Sequence, residues 1–266
     1  MTGLPFVMVA PNGARLTTAD HPALPVTIGE IVACALTCRA AGADGLHAHV
    51  RDADQRHVLD AGLYAELLAE LTQQAPGFYV QVTTEAVGRF TPAEQRRLVE
   101  DLRPGAVSIA LREITDQQDD AVTRRFFAMC NEASIGVQHI LYDEADVAHL
   151  ARLVAKGDIA SQGLKALIVL GRYTTGQVSG PEDVAALARA LKTALPAVDW
   201  AACAFGPMET ACLIECMAQG GKARIGFENN RQNADGVVAA NNAERVAELV
   251  TEARHRGYPL ADRTQP

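Results

Sequence analysis

Short apolar runs rich in β-branched residues alternate with longer amphipathic stretches along the whole chain. The short runs have the length and alternation of β-strands, and they are Phe6–Ala10, Gly45–Val50, Tyr79–Thr84, Val107–Leu111, Gly136–Tyr142, Leu164–Leu170, Trp200–Phe205 and Ala223–Glu228. The longer stretches have helical spacing, and they are Thr27–Ala41, Ala61–Gln74, Thr91–Leu102, Gln117–Ala133, Glu144–Lys156, Pro181–Leu195, Met208–Gln219 and Asn242–Arg256. Helix start signals, such as Thr27 three residues before Glu30, support these boundaries.

A strand followed by a helix, repeated eight times with short connections, predicts an α/β protein with a parallel sheet. Eight such units predict closure into a (β/α)8 TIM barrel, a single domain over residues 1–266. An open, doubly wound sheet is the alternative, but its strands are covered on both faces and are apolar throughout. In the second strand, polar His47 and His49 alternate with apolar residues. One strand face therefore turns toward a barrel lumen.

Composition and charge limit the classes of molecule that the protein is expected to bind. The net charge of −8 and the pI near 5.4 disfavour nucleic acids and anionic membranes, because phosphate binding needs a basic surface. The apolar run near the N-terminus is too short for a signal sequence or a membrane span, so we expect a cytoplasmic protein that binds small molecules. The six cysteines form no C-x-x-C pair, and we expect them to be small buried hydrophobic residues.

The histidines of the second strand predict a metal site. Residues two apart on a strand point to the same face about 6.5 Å apart, so His47 and His49 can bind one divalent ion. Glu228, at the C-terminal end of the last strand, is the best third ligand, and two imidazoles with one carboxylate are common at catalytic zinc. The competing interpretation is a pair of core histidines bonded to backbone carbonyls, with Glu228 ion-paired to Arg224.

Other polar residues are expected on the lumen face or at the strand ends. Arg224 can bind a carboxylate or an oxyanion, and Thr83 and Ser108 can orient an acid substrate. Arg112 and Glu113, directly after the fourth strand, are expected to face the substrate.

The remaining histidines show no ligand spacing. His139 is expected in the core or beside the site, and the others are expected at the surface, namely His21, His57, His149 and His255.

Four segments together resemble the β-keto acid cleavage enzymes: APNGARLTTADHPALPVT (10–27), AAGADGLHAHVRDADQRH (40–57), VQVTTEAVGR (80–89) and KARIGFENN (222–230). The resemblance runs in order along nearly the whole chain. It implies a zinc-dependent barrel, assembled as a tetramer or similar, in which a β-keto acid reacts with acetyl-CoA to give acetoacetate and a new CoA thioester. It implies His47, His49 and Glu228 as metal ligands, Arg224 as the catalytic arginine and Thr83 as the hydroxyl that holds the substrate carboxylate.

Two positions depart from the family pattern. Asn229 stands where the founding member has an aspartate, so this candidate catalytic position cannot take a proton. If that aspartate helps to generate the nucleophile there, another group must do so here, such as a metal-bound water with Arg224 acting only as organiser. Arg15 corresponds to the glutamate that meets the amino group of the founding member's substrate. A cation there would repel an ammonium group, so we expect a substrate with a neutral, hydroxylated or carboxylated far end. The competing interpretation is that Arg15 is a solvent-facing loop residue.

Two other function classes compete with this interpretation. A zinc-dependent hydrolase of the amidohydrolase type also begins with H-x-H, but it adds ligands from the middle strands, where this chain offers only Lys165 near a strand start. A non-catalytic barrel would hold structural zinc, which normally has four protein ligands rather than three. The sequence does not place the CoA site, and Gly171-Arg172 and Gly206-Pro207 are only candidate loops.

Overall fold

Eight parallel strands close into a barrel in which each strand pairs with its neighbours in sequence. The structure is a computed structural model that describes residues 3–261. Its strands are β1 Val7–Val9, β2 Gly45–Ala48, β3 Tyr79–Thr83, β4 Ala106–Ala110, β5 Gly136–Leu141, β6 Lys165–Leu170, β7 Asp199–Ala204 and β8 Lys222–Ile225. β1 pairs with β8 in parallel and closes the barrel, which confirms the predicted fold.

Helices surround the barrel between consecutive strands. They are α1 Ile28–Ala41, α2 Ala61–Gln74, α3 Pro92–Leu102, α4 Leu111–Ile114, α5 Asp120–Glu132, α6 Glu144–Lys156, α7 Pro181–Ala194, α8 Glu209–Ala218 and α9 Asn242–His255. The short α4 was not predicted. The helix predicted from Gln117 begins later, because Gln117 has a left-handed φ of 51° and the Asp119 side chain caps the helix at the Ala121 amide. Within residues 3–261, no helix has the length and apolar composition needed to cross a membrane.

Two hydrophobic layers stabilise the barrel. A large outer layer packs the helices against the strands, and a smaller layer fills the lumen with Leu4, Ala110, Ile140, Leu167, Val169, Ala201 and Cys203. The cysteines are free thiols, five of them buried and Cys34 half-buried, as the sequence predicted. His139 lies in the outer layer with its ring 5.2 Å from that of Phe127, so it is a core histidine.

The end of β8 differs from the prediction. The strand ends at Ile225, three residues before Glu228, which lies in a turn and not on the strand. Gly226 starts this turn with φ 146°, and a Cβ there would lie 2.4 Å from the carbonyl oxygen of Ala10. The turn is fixed by the Phe227 amide, which donates to Asn242 Oδ1 at 2.9 Å, and by the Glu228 amide, which donates to the Ala10 carbonyl at 3.1 Å.

Candidate active site

Three side chains converge at the C-terminal end of the barrel. One ligand atom from each of His47, His49 and Glu228 lies within 4.8 Å of the other two. Glu228 Oε2 is 3.6 Å from His47 Nε2 and 3.5 Å from His49 Nε2, and the two imidazole nitrogens are 3.1 Å apart. His47 lies on β2, His49 directly follows that strand, and Glu228 lies in the turn after β8; β2 and β8 flank β1 in the barrel. The structure thus brings together the three predicted ligands.

A chain of amide side chains fixes the tautomer of His47. The carbonyl oxygen of Ala166 can only accept, so it orients Gln138, whose Nε2 donates to it at 3.2 Å. Gln138 Oε1 then accepts from Gln81 Nε2 at 2.9 Å, and Gln81 Oε1 accepts from His47 Nδ1 at 2.9 Å. His47 therefore carries its proton on Nδ1, and Nε2 presents a lone pair to the site. Burial and the charge of Arg224 also lower the pKa of His47 well below its usual value.

Glu228 is held as a carboxylate. Burial by itself would raise the pKa of Glu228, but Arg224, His47 and His49 outweigh that effect and hold it well below the usual range. Oε1 accepts from Arg224 Nη2 at 3.1 Å, whereas buried Oε2 has no hydrogen-bond partner among the described residues. Gly13 makes room for this side chain, since a Cβ on Gly13 would lie 2.6 Å from Glu228 Cγ.

The three ligand atoms fit a divalent cation. A carboxylate oxygen without a donor faces the unprotonated Nε2 of His47, and such a cluster of lone pairs is unfavourable until a positive charge joins it. Two nitrogens and one carboxylate oxygen suit zinc and leave coordination positions for other ligands. Glu85 lies further out, with Oε2 3.9 Å from His49 Nδ1.

A cleft of about 570 Å³, here called the inner cleft, opens above the ligands. Its lining includes Arg224, a buried guanidinium whose Nη2 contacts Cys203 Sγ at 3.2 Å and Glu228. Arg224 Nε and Nη1 have no partner among residues 3–261. Burial alone would lower the pKa of Arg224, but Cys203 and Glu228 outweigh it and raise that pKa. A permanent cation with unused donors can bind a carboxylate or an oxyanion.

The other predicted substrate-binding residues divide into two groups. Thr83 and Arg15 line the inner cleft, and Thr83 Oγ1 accepts from the Glu85 amide at 3.1 Å, which leaves its own proton to donate. Ser108 pairs with Thr83 in register, is fully buried and is not among the described lining residues.

Arg112 and Glu113 do not line the inner cleft either, contrary to expectation. Glu113 Oε2 accepts from the Ala86 amide and from Gln95 Nε2, both at 3.0 Å. Arg112 donates to Asp143 and Asp146 beyond the strand end. Both residues therefore stabilise the loops around the inner cleft.

Two histidines expected at the surface are buried. His21 is 7% exposed with its ring 4.4 Å from that of Phe227, and His57 is 1% exposed with Nε2 3.0 Å from the Glu85 carbonyl oxygen. Burial and the neighbouring His49 lower the pKa of His57 to about 3. The surface prediction is wrong for both because loops fold over the barrel mouth. His149 is half-buried and His255 is exposed.

Sequence reasoning missed the contacts that connect the loops around the site. Arg172 Nη2 donates to Glu85 Oε1 at 3.1 Å, which joins the loops after β3 and β6 across the inner cleft. Arg51 Nη2 donates to the carbonyl oxygens of Asn12 and Gly13, and so places Gly13 beside Glu228. Strand alternation does not give these contacts, because they join segments that are distant in sequence.

Comparison with known proteins assigns the chain to a protein family. It is 25% identical over 267 residues to the 3-oxoadipate:acetyl-CoA acetyltransferase of Cupriavidus necator, covering 98% of this chain and 92% of that protein. It is 24% identical over 262 residues to the 3-keto-5-aminohexanoate cleavage enzyme of Fusobacterium nucleatum, covering 96% and 93%. The solved complex of ObcA with oxaloacetate has the same fold, with a TM-score of 0.73 at 16% identity over 90% of this chain and 65% of that one. The model of the beta-keto acid cleavage enzyme family matches residues 6–265, and the chain belongs to that family.

Proposed function

We propose that this protein is a zinc-dependent enzyme that transfers the acetyl group of acetyl-CoA to a β-keto acid, giving acetoacetate and a new acyl-CoA. The observation that carries the proposal is the buried set of His47, His49 and Glu228 beside the unpaired donors of Arg224. Membership in the family, and the acetyl-CoA-dependent activity in the name of the C. necator relative, support the same reaction.

The donor set suits a cation that acts as an electrophile. A zinc ion bound there would stabilise negative charge on the keto oxygen of the substrate. Gln81 orients His47 toward the ion position, and Gly13 leaves space for the Glu228 carboxylate. The apolar wall of the lumen excludes water from this side of the site, which strengthens every electrostatic interaction in it.

The protein's own residues bind and orient the substrate in the proposed reaction. Arg224 and Thr83 hold the substrate carboxylate in the inner cleft. A proton leaves C2 of the keto acid, and C2 attacks the acetyl carbonyl and displaces the CoA thiolate. The thiolate then attacks the original keto carbon, the bond between that carbon and C2 breaks, and C2 takes a proton to give acetoacetate. Asn229 has no acidic proton, so it can only bind and orient in this sequence.

Arg15 bears on the choice of keto acid. It is exposed at the rim of the inner cleft and has no ion-pair partner among residues 3–261. An uncompensated cation at that position disfavours an ammonium group on the far end of the substrate. We therefore propose a substrate with a neutral, hydroxylated or carboxylated far end.

A hydrolase of the amidohydrolase type remains the second candidate, and the ligand geometry disfavours it. Lys165, the residue that could serve as a mid-strand ligand, begins β6, and its Nζ is directed to the Gly163 carbonyl oxygen at 3.4 Å. That end of the strand is opposite to the site.

The direct test is incubation of the zinc-loaded protein with acetyl-CoA and a panel of β-keto acids that differ at the far end. We expect acetoacetate and a new acyl-CoA in equal amounts, detected by mass spectrometry, and loss of both after removal of zinc with a chelator. Ammonium-bearing members should react least. Product formation without acetyl-CoA would instead indicate a hydrolase, and no reaction with any member would contradict the proposal.

We also propose that the enzyme works in the cytoplasm as a homo-oligomer, a tetramer or similar, as the family resemblance implies. Light scattering coupled to size-exclusion chromatography gives the molar mass directly. A mass of one chain, 28.3 kDa, would contradict the oligomer.

A further inference from the structure

A second cleft continues from the inner cleft toward the surface. This outer cleft encloses about 1190 Å³ and shares Arg15, Leu16, Arg172, Phe205 and Glu228 with the inner cleft. Its remaining wall comes from Asp20 in the loop after β1 and from the loops after β6, β7 and β8. A molecule whose reactive end lies beside Glu228 can therefore extend through the outer cleft without leaving the protein surface.

The outer wall carries a cation without a carboxylate partner. Arg231 lines the outer cleft, and its Nη1 donates to the backbone carbonyl of Asp20 at 2.6 Å. No ion pair forms between Arg231 and an acidic side chain within residues 3–261. Asp20 lines the same cleft, but its Oδ2 accepts from the amide and the hydroxyl of Thr17. An arginine beside a cleft that forms no ion pair attracts anionic ligands.

The loop that carries Arg231 is fixed before any ligand binds. The Asn230 side chain brackets Gln232, donating to its carbonyl oxygen at 2.7 Å and accepting from its amide at 3.0 Å. The Ala239 amide donates to the Arg231 carbonyl oxygen at 2.9 Å. Such preorganisation lowers the entropy cost of binding an anion at Arg231.

Asn229 adds unused hydrogen-bonding capacity in the same wall. It is 7% exposed, and neither its Oδ1 nor its Nδ2 has a partner among the described residues. A buried amide without partners is unfavourable, and a secondary amide of a ligand matches it with one donor and one acceptor. The wall thus offers the amide of Asn229 close to Glu228 and the cation of Arg231 two residues later.

We propose that the outer cleft binds the CoA portion of acetyl-CoA, with Asn229 facing the amide-bearing pantetheine arm and Arg231 facing the phosphates. This assignment rests on the proposed function, which places the thioester in the inner cleft. The inner cleft is too small for the whole cofactor, so the arm and the nucleotide extend outward. Arg15 remains with the far end of the keto acid.

The test compares acetyl-CoA with acetyl-pantetheine, which keeps both amides and lacks the phosphates. Arg231→Ala should raise the KM for acetyl-CoA about tenfold, the effect of one lost charge-assisted hydrogen bond. Its KM for acetyl-pantetheine and for the keto acid should stay within about twofold of wild type. Arg256→Ala is the matched control, because Arg256 is an exposed arginine in a separate groove of α8 and α9, paired with Glu252 at 2.6 Å.

An equal rise in the KM for acetyl-CoA and for acetyl-pantetheine, or no rise in either KM, would overturn the assignment. Arg231→Glu is a second variant, which separates an effect of charge from an effect on folding. Charge reversal should raise the KM for acetyl-CoA more than removal does, and should still spare acetyl-pantetheine. If the wild-type enzyme turns over no keto acid, the proposed function fails by itself. Calorimetric titration with CoA then tests whether the outer cleft binds CoA. Weaker binding of CoA to Arg231→Ala than to wild type supports this assignment, and equal binding overturns it.

Discussion

The two halves of the barrel lumen differ in their chemistry. On the side of β2, β3 and β8, the lumen carries His47, Gln81, Thr83 and Arg224, all buried. On the side of β5, β6 and β7, it is filled mainly by an apolar cluster that includes Leu167. The barrel therefore separates two tasks. One half holds charge and ligand atoms, and the other supplies packing and the low-dielectric wall that strengthens those charges.

Removing the anionic ligand should have the largest effect, on both zinc binding and turnover. Glu228→Gln keeps the size of the side chain but loses the carboxylate between the two imidazoles. We expect the zinc content to fall below about a tenth of that of wild type. We expect turnover to fall by about 1000-fold or more. Elemental analysis and the acetoacetate assay measure both. Glu85→Gln, in the same cleft, is the control and should retain zinc; equal zinc content in the two variants would contradict the ligand assignment.

Arg224→Lys should have the next largest effect. Lysine keeps the positive charge but loses the planar donors that in Arg224 remain unpaired. We expect kcat/KM to fall about 100-fold, as for loss of one donor to a developing oxyanion, with zinc content unchanged. Activity near that of wild type would show that charge alone suffices at this position.

Two variants at Gln81 test whether the chain of amide side chains fixes the tautomer of His47. Gln81→Leu removes the acceptor for His47 Nδ1, and metal affinity should fall by about 10–100-fold. Gln81→Glu still offers an acceptor and should weaken zinc binding less. Competition with a zinc-binding dye measures both constants. Equal loss in the two variants would mean that shape, and not the accepted hydrogen bond, orients the imidazole.

The apolar half should respond in stability rather than in chemistry. Leu167→Ala opens a cavity at a fully buried lumen position and should lower the free energy of unfolding by about 2–5 kcal/mol. Zinc content and the KM for the keto acid should stay near those of wild type. Chemical denaturation measures the stability. A loss of zinc without a loss of stability would erase the distinction between the two halves.

His139, outside the lumen, should affect only the pH dependence of stability. Burial lowers its pKa to about 3, so the folded protein keeps it neutral, whereas the unfolded chain protonates it near pH 6.5. Stability from this neutral imidazole is present above about pH 6.5 and is lost as the pH falls toward 3. His139→Leu should therefore lose less stability than wild type between pH 7.5 and about 5 in urea unfolding of the zinc-free proteins. Parallel losses would contradict the buried, neutral state.

Much of the polar half could be predicted from the sequence because strand geometry is regular. Alternation with a period of two puts His47 on the lumen face together with Thr83 and Arg224. Closure of eight parallel strands in sequence order then places β8 and β2 on either side of β1, so a ligand after β8 meets those of β2. The convergence of the three ligands follows from topology.

The loop contributions could not be predicted, because they depend on packing between distant segments. Glu228 reaches the site from a turn that exists because Gly226 approaches the Ala10 carbonyl. His57 is buried by the loops around Glu85, although its sequence neighbours Gln55 and Arg56 are polar. Gln81 is visible as a lumen residue, but its role depends on a partner 57 positions later in the chain.

Acetyl-CoA labelled with two ¹³C atoms in its acetyl group gives a direct test of acetyl transfer to the keto acid. The zinc-loaded enzyme and a reactive keto acid such as 3-oxoadipate would be incubated with this thioester, and the products analysed by mass spectrometry. The proposed reaction yields acetoacetate with both labels at its methyl and keto carbons, and an unlabelled new acyl-CoA. Unlabelled acetoacetate, or label recovered only as acetate, would contradict the proposed acetyl transfer.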